Sequence, residues 1–255
     1  MAYQPLIDHF LMFTLVLVRV STLVVVAPIF GTTEVPARVR GLFAFSLALL
    51  VAPLHWDTNF EHPQSMLNYL VIVGTEALIG LLLGLGLNLL FAGVQVAGQI
   101  ISQMSGMQVA EVFNPGFDAG VPIFSQILFY VAMAVFVILG GHRMTVEALL
   151  DTFAVMPPGS ATLSTSITEM LTELLSQSFI LGVRAAAPAM VALLLTTLVL
   201  GLISRTLPQL NIMSLGFGLS SLVTLGALMT SLGAAAWLFQ DEIDTTLSLV
   251  LSVMH

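Results

Sequence analysis

Residues 97–123 read AGQIISQMSGMQVAEVFNPGFDAGVPI and separate two strongly apolar segments of the chain. The triplet 114–116, Asn-Pro-Gly, is a turn signal, and Gly120 with Pro122 restarts a helix. Non-helical backbone at membrane depth must be buried in protein or line a cavity, because lipid offers its peptide groups no hydrogen-bond partner. The stretch is therefore a candidate gate or binding loop.

The composition predicts a protein that lies in a membrane or in a membrane-embedded assembly. Hydrophobic residues make up 58% of the 255 residues and charged residues 8%, whereas roughly a quarter of a typical soluble domain is charged. A soluble monomer of this size could not hide so much apolar surface. The net charge of −8 lacks the clustered positive charge of a nucleic-acid-binding protein. The absence of cysteine excludes disulfides and thiolate metal sites.

Six apolar segments predict an all-α fold, a membrane-associated bundle of kinked helical hairpins. They cover approximately residues 10–30, 41–54, 69–101, 121–141, 178–203 and 210–239. A spanning helix needs about 20 apolar residues, so the second segment is short, and the third and sixth are long enough to tilt or to extend beyond a bilayer. The last two segments form a natural hairpin, which a Pro-rich loop at 157–159 separates from the rest of the chain.

Three charged residues lie inside apolar segments. Arg19 is in the middle of the first segment, Glu76 in the first turns of the third, and Arg184 near the start of the fifth. A charge at bilayer depth costs a few kcal/mol or more and normally faces a partner or a water-filled cavity. Two interpretations stay open: a proton or ion relay that uses Arg19 and Glu76, or a structural ion pair or subunit contact that fixes packing.

The sequence contains no recognisable catalytic or metal-binding motif. The five histidines show no i,i+4 pairing with carboxylates, so no metal site is predicted. A Walker loop, a G-x-S-x-G elbow and an H-E-x-x-H motif are all absent. We therefore expect a protein that is not an enzyme and that needs no cofactor.

The central loop contains several candidate gate residues. Met104 and Met107 could fill packing gaps or seal a channel around a moving peptide, since their thioether chains are flexible. Its apolar side chains could pack as an ordinary connector or form a hydrophobic constriction in a pore; they are Val109, Val112, Phe113 and Phe117. The remaining candidates are the turn and hinge residues Gly106, Asn114, Pro115, Gly116 and Gly120.

Small residues recur along the third apolar segment. Gly80 and Gly84 form a G-x-x-x-G pattern, and Gly86, Gly93 and Gly98 continue the series. Such patterns allow helix backbones to approach closely. We therefore expect other helices to pack tightly against this segment.

Four blocks of sequence together resemble the FliR family of flagellar export-apparatus proteins, whose counterparts in virulence secretion are the SpaR, YscT and SctT proteins. The blocks are RVSTLVVVAPIFGTTEVPARVR (19–40), ALIGLLLGLGLNLLFAGVQVAGQIISQMSGMQVAEVFNPG (77–116), GGHRMTVEALLDTFAVMPPG (140–159) and LVLGLISRTLPQLNIMSLGFG (198–218). The chain departs from the family pattern at Ser105, within Gln-Met-Ser-Gly, and at Gly218, where a proline is frequent.

The resemblance implies a non-enzymatic subunit of the type III secretion export gate. Such a subunit forms, with FliP and FliQ subunits, the entrance pore for unfolded substrate proteins. Residues 1–177 would be a FliP-like part, and residues 178–255 a FliQ-like hairpin with an acidic tail. Residues 106–120 would be a plug that keeps the pore closed.

The same resemblance implies further partners and a location. FlhB and FlhA would be neighbours, and a turn would face FlhB through Arg205, Pro208 and Gln209. The protein would lie in the bacterial inner membrane, in contact with lipid, at the flagellar basal body. Part of the chain would be raised to the periplasmic side.

A second hypothesis is a secondary transporter for a small solute. The interrupted third segment and the charges of Arg19 and Glu76 are typical of broken-helix substrate sites. The two halves of the chain show no evident repeat, which favours the first hypothesis.

Overall fold

The computed structural model describes residues 4–31, 35–56, 65–106, 122–160, 167–206 and 212–252. These residues form α-helices and one short 3₁₀ helix, without a β-strand among them, so the all-α prediction is confirmed. The helices are α1 (Gln4–Val26), α2 (Ala37–Val51), α3 (Met66–Ser105), α4 (Ile123–Ile138), α5 (Gly141–Val155), α6 (Ile167–Thr206) and α7 (Ile212–Ser252). The 3₁₀ helix, Ala52–His55, directly continues α2.

Within the described residues, five helices are long and apolar enough to cross a membrane, or six if the bent pair of α4 and α5 counts as one span. The second predicted segment is longer than expected, because α2 and its 3₁₀ extension together run from Ala37 to His55. The last helix also exceeds its prediction. It continues to Ser252, so the acidic residues Asp241, Glu242 and Asp244 lie within α7.

Helix α5 is not among the six apolar segments of the sequence. Its charged residues hide the helical pattern, since Arg143 and Glu147 form an exposed i,i+4 ion pair. The opposite face is buried through Thr145, Leu149 and Phe153, which follow one another at four-residue spacing. An amphipathic helix of this kind has too low a mean hydropathy to be recognised as a membrane segment.

Prolines fix the start of two helices. Pro36 precedes α2 and Pro122 precedes α4, both in an extended conformation that leads into the first helical turn. Proline has no backbone N–H to donate, and the first turn of a helix needs none. Between α4 and α5, Gly140 adopts a positive φ of 77°, which lets the chain change direction there.

One compact unit comprises residues 1–89, 140–174 and 243–255. Its α1 and α3 approach to backbone contact at Gly80, where an added Cβ would overlap the carbonyl oxygen of Arg19 and the hydroxyl of Thr22. At Gly84 an added Cβ would lie 2.8 Å from the Cβ of Val26. Side chains buried in this unit include Leu15, Val20, Ile79, Leu83, Leu149 and Val250.

A second compact unit comprises residues 90–139 and 175–242. Its core contains an aromatic cluster in which the ring centre of Phe91 lies 5.5 Å from Phe136 and 4.9 Å from Phe239. Helices α3 and α6 meet at two glycines, because an added Cβ on Gly182 would lie 2.7 Å from the carbonyl oxygen of Gly93. The close packing that the glycine series predicts is confirmed in both units.

Candidate functional site

A buried ion pair joins α1 to α3. The Nε of Arg19 donates a hydrogen bond to Oε2 of Glu76 at 2.6 Å, and both side chains are completely shielded from solvent. Each residue lies inside a strongly apolar helix. A buried charge in such surroundings is stable only when it is paired and its remaining polar atoms are satisfied.

The rest of the guanidinium group of Arg19 binds the end of α5. One terminal nitrogen donates to Oγ1 of Thr152 at 3.2 Å, and both terminal nitrogens donate to the carbonyl oxygen of Met156 at 3.1 Å. The guanidinium carbon also lies 4.2 Å from the centre of the Phe153 ring, within the range of a cation–π contact. All three guanidinium nitrogens therefore have an acceptor.

The second carboxylate oxygen of Glu76 holds the turn after α5. Gly159 donates its backbone N–H to Oε1 at 2.8 Å. The turn is closed by a bond from the N–H of Ser160 to the carbonyl oxygen of Pro157 at 3.1 Å. Pro158 and Gly159 occupy its two central positions, and the φ of 85° at Gly159 is what a type II turn requires there.

We call Arg19, Glu76 and the groups they bind on Thr152, Met156 and Gly159 the Arg19–Glu76 clamp. It ties together α1, α3 and the segment that ends α5. Both oxygens of the carboxylate and every nitrogen of the guanidinium are occupied, and neither side chain meets solvent. The geometry therefore favours the structural ion pair over the proton or ion relay, which would need access to water.

Arg184, which the sequence suggested as a third buried charge, is exposed in the described chain. The chain by itself does not bury this side chain, because the buried face of α6 is formed by Leu181, Ala185 and Ala189, and Arg184 projects from the other side of the helix. A contact of Arg184 with another subunit stays a prediction. Apolar neighbours in the sequence do not reveal which face of a helix is covered.

The predicted gate loop is described only at its beginning. Met104 is half-buried in the last turn of α3, and Gly106 ends that helix with a φ of 73°. The other predicted gate residues lie outside the described residues: Met107, Val109, Val112, Phe113, Asn114, Pro115, Gly116, Phe117 and Gly120. In the predicted FlhB-facing turn, Arg205 is exposed at the end of α6, whereas Pro208 and Gln209 lie outside the described residues.

Three members of the clamp were missed by the sequence reasoning: Thr152, Met156 and Gly159. Two of them contribute backbone groups, so their side chains give no sign of the contact. The sequence gives one sign of these contacts, the Pro-Pro-Gly turn at 157–159. This turn directly follows the amphipathic helix α5, so it could be expected to lie near the buried face of that helix.

A family model described as bacterial export proteins, family 1, matches residues 10–246. The chain belongs to this family. The matched range includes parts of both compact units and every residue of the clamp. Curated members similar to the chain carry the name flagellar biosynthetic protein FliR. The Bacillus subtilis protein is 30% identical over 87% of this chain and 86% of its own length. The Escherichia coli protein is 32% identical over 80% of this chain and 77% of its own length.

The Aquifex aeolicus FliR protein is 29% identical over 84% of this chain and 82% of its own length. These matches confirm the resemblance to the FliR family that the four sequence blocks indicated. As a family member, the chain is an export protein of flagellar biosynthesis. Its apolar helices make it a membrane protein.

Proposed function

We propose that the chain is a non-enzymatic subunit of the flagellar type III secretion export gate in the bacterial inner membrane. It assembles with FliP and FliQ subunits into the entrance pore for unfolded substrate proteins, next to FlhB and FlhA at the basal body. Residues 1–177 act as a FliP-like part and residues 178–255 as a FliQ-like hairpin. The observation that carries this proposal is the family match across residues 10–246.

The exposed apolar surface of the chain supports assembly with other subunits or with lipid. Many large apolar side chains are more than half exposed, among them Leu42, Leu50, Leu67, Leu222 and Met229. Large apolar side chains exposed in such number on a folded chain indicate surfaces that lipid or another subunit covers. FliP and FliQ subunits are the partners that fit a FliR-family protein.

The proposed plug is the segment from Gly106 to Gly120. Gly106 follows the last residue of α3 and has a positive φ, a conformation that ends a helix and that glycine adopts most easily. The apolar residues that follow suit a hydrophobic constriction, which blocks ions and water by excluding water from the pore. A plug bounded by glycines can also move aside when a substrate chain enters.

The clamp geometry favours the gate over the small-solute transporter. A transporter that used Arg19 and Glu76 to bind a solute would place them beside a water-filled cavity. In the described chain the two side chains bind each other and three neighbouring groups, with no exposed surface. This arrangement leaves neither charge available to a solute.

Deletion of the plug tests the proposed function. We expect replacement of residues 107–120 by a short Gly-Ser linker to make the assembled gate conduct ions in the absence of substrate, because the constriction is gone. The measurement is single-channel conductance of the complex with FliP and FliQ in a planar bilayer. A matched control replaces the Ser/Thr-rich residues 161–166 by the same linker. This variant should show no ion conductance in the absence of substrate.

Two results would contradict the proposal. A plug-deleted complex that assembles and stays non-conducting shows that the loop does not close the pore. A chain that purifies as a monomer or homodimer from cells producing FliP and FliQ, as judged by the mass of the intact complex, shows that it is not a subunit of such a gate.

A further inference from the structure

The helices on either side of the proposed plug are attached to the second compact unit in different ways. Helix α3 leads into the plug through Ser105 and Gly106, and α4 begins after it at Ile123. Two buried serines, Ser105 and Ser125, flank the segment. Their contacts show what holds each end.

The end that leads into α4 is held by contact between helix backbones. An added Cβ on Gly98 of α3 would overlap the Cα and the backbone nitrogen of Ser125. Small residues allow this close approach. The hydroxyl of Ser125 also donates to the carbonyl oxygen of Gln95 at 2.9 Å. The start of α4 is therefore packed firmly against a turn of α3.

The last turn of α3 is closed by local hydrogen bonds. The last four carbonyl groups of an α-helix have no donor within the helix. The hydroxyl of Ser105 donates to the carbonyl oxygen of Ser102 at 3.0 Å. The N–H of Gly106 donates to the carbonyl oxygen of Gln103 at 3.3 Å. Both bonds stay within the turn, so neither fixes the end of α3 relative to another helix.

A hydrogen bond from α7 provides that connection. The hydroxyl of Ser220 donates to the carbonyl oxygen of Ser105 at 3.2 Å. We call this contact the Ser220 latch. It supplies a donor to a carbonyl at the end of α3, where the helix itself has none to offer. It also ties the last residue of α3 to α7, directly before the plug begins.

A buried hydroxyl group without a partner lies one turn before the latch. Ser102 is completely buried, and its Oγ has no hydrogen-bond partner among the described residues. Ser102 and Ser105 are three residues apart and lie on the same side of α3. A buried hydroxyl that makes no hydrogen bond is unfavourable. The present position of this turn therefore carries a cost that a movement of the turn would relieve.

We propose that Ser220 is a positioning residue of the gate and that the Ser220 latch is the contact that breaks when the gate opens. In the closed gate its hydroxyl holds the end of α3, and with it the start of the plug, against α7. When the latch breaks, the packing at Gly98 keeps the start of α4 in place. The role of Ser220 rests on the plug proposed above, whose deletion is a separate test.

A hydrogen bond suits a contact that has to break and form again. Its net contribution to stability is small, because the released carbonyl and hydroxyl can bind water instead. Backbone packing such as that at Gly98 has no comparable replacement, since separated helices lose their close contacts outright. The end of α3 is thus the end of the plug that yields at lower cost.

The first test measures whether the latch holds the end of α3. Its readout is the rate of backbone hydrogen exchange in residues 99–105 of the full chain, purified in detergent. We expect Ser220→Ala to raise this rate about fivefold, because the last turn loses its bond to α7. Ser220→Thr keeps the hydroxyl and should restore the original rate. Thr230→Ala is the matched control, since the hydroxyl of Thr230 donates to Ala227 of its own helix.

The second test measures whether the latch keeps the gate closed. In the complex with FliP and FliQ, we expect Ser220→Ala to increase the open time of single channels without substrate about fivefold. Ser220→Thr should conduct no more than the unchanged complex. Ser125→Ala makes the same change at the other end of the plug and should leave the gate closed, because the backbone contact at Gly98 remains.

Three results would overturn the role of Ser220. Unchanged exchange in Ser220→Ala would show that the latch does not hold the end of α3. Faster exchange with a gate that stays closed would show that this end does not control the pore. Equal leakage from Ser125→Ala would show that both ends yield alike. Failure of the plug itself looks different, since the complex that lacks residues 107–120 would then stay closed.

Discussion

Glu76→Ala is expected to destabilise the chain by about 3–5 kcal/mol, the usual cost of removing one partner of a buried ion pair. The substitution leaves the guanidinium of Arg19 buried without its carboxylate and removes the acceptor of the Gly159 N–H. The measurement is the thermal unfolding midpoint of the chain purified in detergent. A large drop in that midpoint is the expected result.

The chain offers a matched control for this experiment on α5. Glu147 also pairs with an arginine, Arg143, at 3.3 Å, but both side chains are mostly exposed. Exposed pairs of this kind contribute about 0.3–0.5 kcal/mol, so Glu147→Ala should leave the midpoint almost unchanged. Equal effects of the two substitutions would show that the clamp does not stabilise the fold as we describe.

A double variant separates unpaired charge from lost packing. Arg19→Met combined with Glu76→Met removes both charges and keeps long side chains in place. We expect the pair of changes to be less harmful than Glu76→Ala, because no buried charge is left alone. A double variant that is more damaging than the single one would mean that the contacts of Arg19 with Thr152 and Met156 matter more than charge pairing.

Gly80→Ala is expected to destabilise the chain by about 3 kcal/mol, at the upper end of the typical cost of overpacking. The added Cβ would overlap the carbonyl oxygen of Arg19 and Oγ1 of Thr22, so α1 and α3 must separate. That separation also stretches the ion pair between Arg19 and Glu76. The same thermal unfolding midpoint reports the effect.

Gly74→Ala is the matched control on the same helix. An added Cβ at Gly74 meets no atom within 4 Å, and alanine favours a helix over glycine by about 1 kcal/mol. This variant should therefore be as stable as the unchanged chain or slightly more stable. If Gly80→Ala were equally harmless, the close approach of α1 and α3 would not be a feature of the folded protein.

The apolar periodicity of the sequence predicts most of the fold but not α5, which carries Thr152 of the clamp and leads into Met156 and Gly159. Long runs such as those around Arg19 and Glu76 are recognisable because nearly every residue is apolar. Helix α5 buries only one face, so its charged residues lower its mean hydropathy below that of a membrane segment. The four-residue spacing of Thr145, Leu149 and Phe153 is the pattern in the sequence that predicts α5.

The candidate site was predictable in part for a related reason. A charge within an apolar helix must be compensated, so Arg19 and Glu76 could be selected from sequence alone. Their partners could not, because a backbone N–H at Gly159 or a carbonyl at Met156 belongs to every residue of the chain. For Arg184 the same argument finds no compensating group within the described chain, since its side chain lies on the exposed face of α6.

The spacing of the clamp along the chain has a consequence for biosynthesis. Arg19 and Glu76 are synthesised before Thr152 and Gly159, because they come earlier in the chain. Until the later residues are made, these two opposite charges lie in apolar helices without their other partners. Because α1 and α3 meet directly at Gly80, the charges can neutralise each other as soon as α3 emerges. We therefore expect the ion pair to form before the rest of the clamp, and the turn at Gly159 to add its hydrogen bond to Glu76 afterwards.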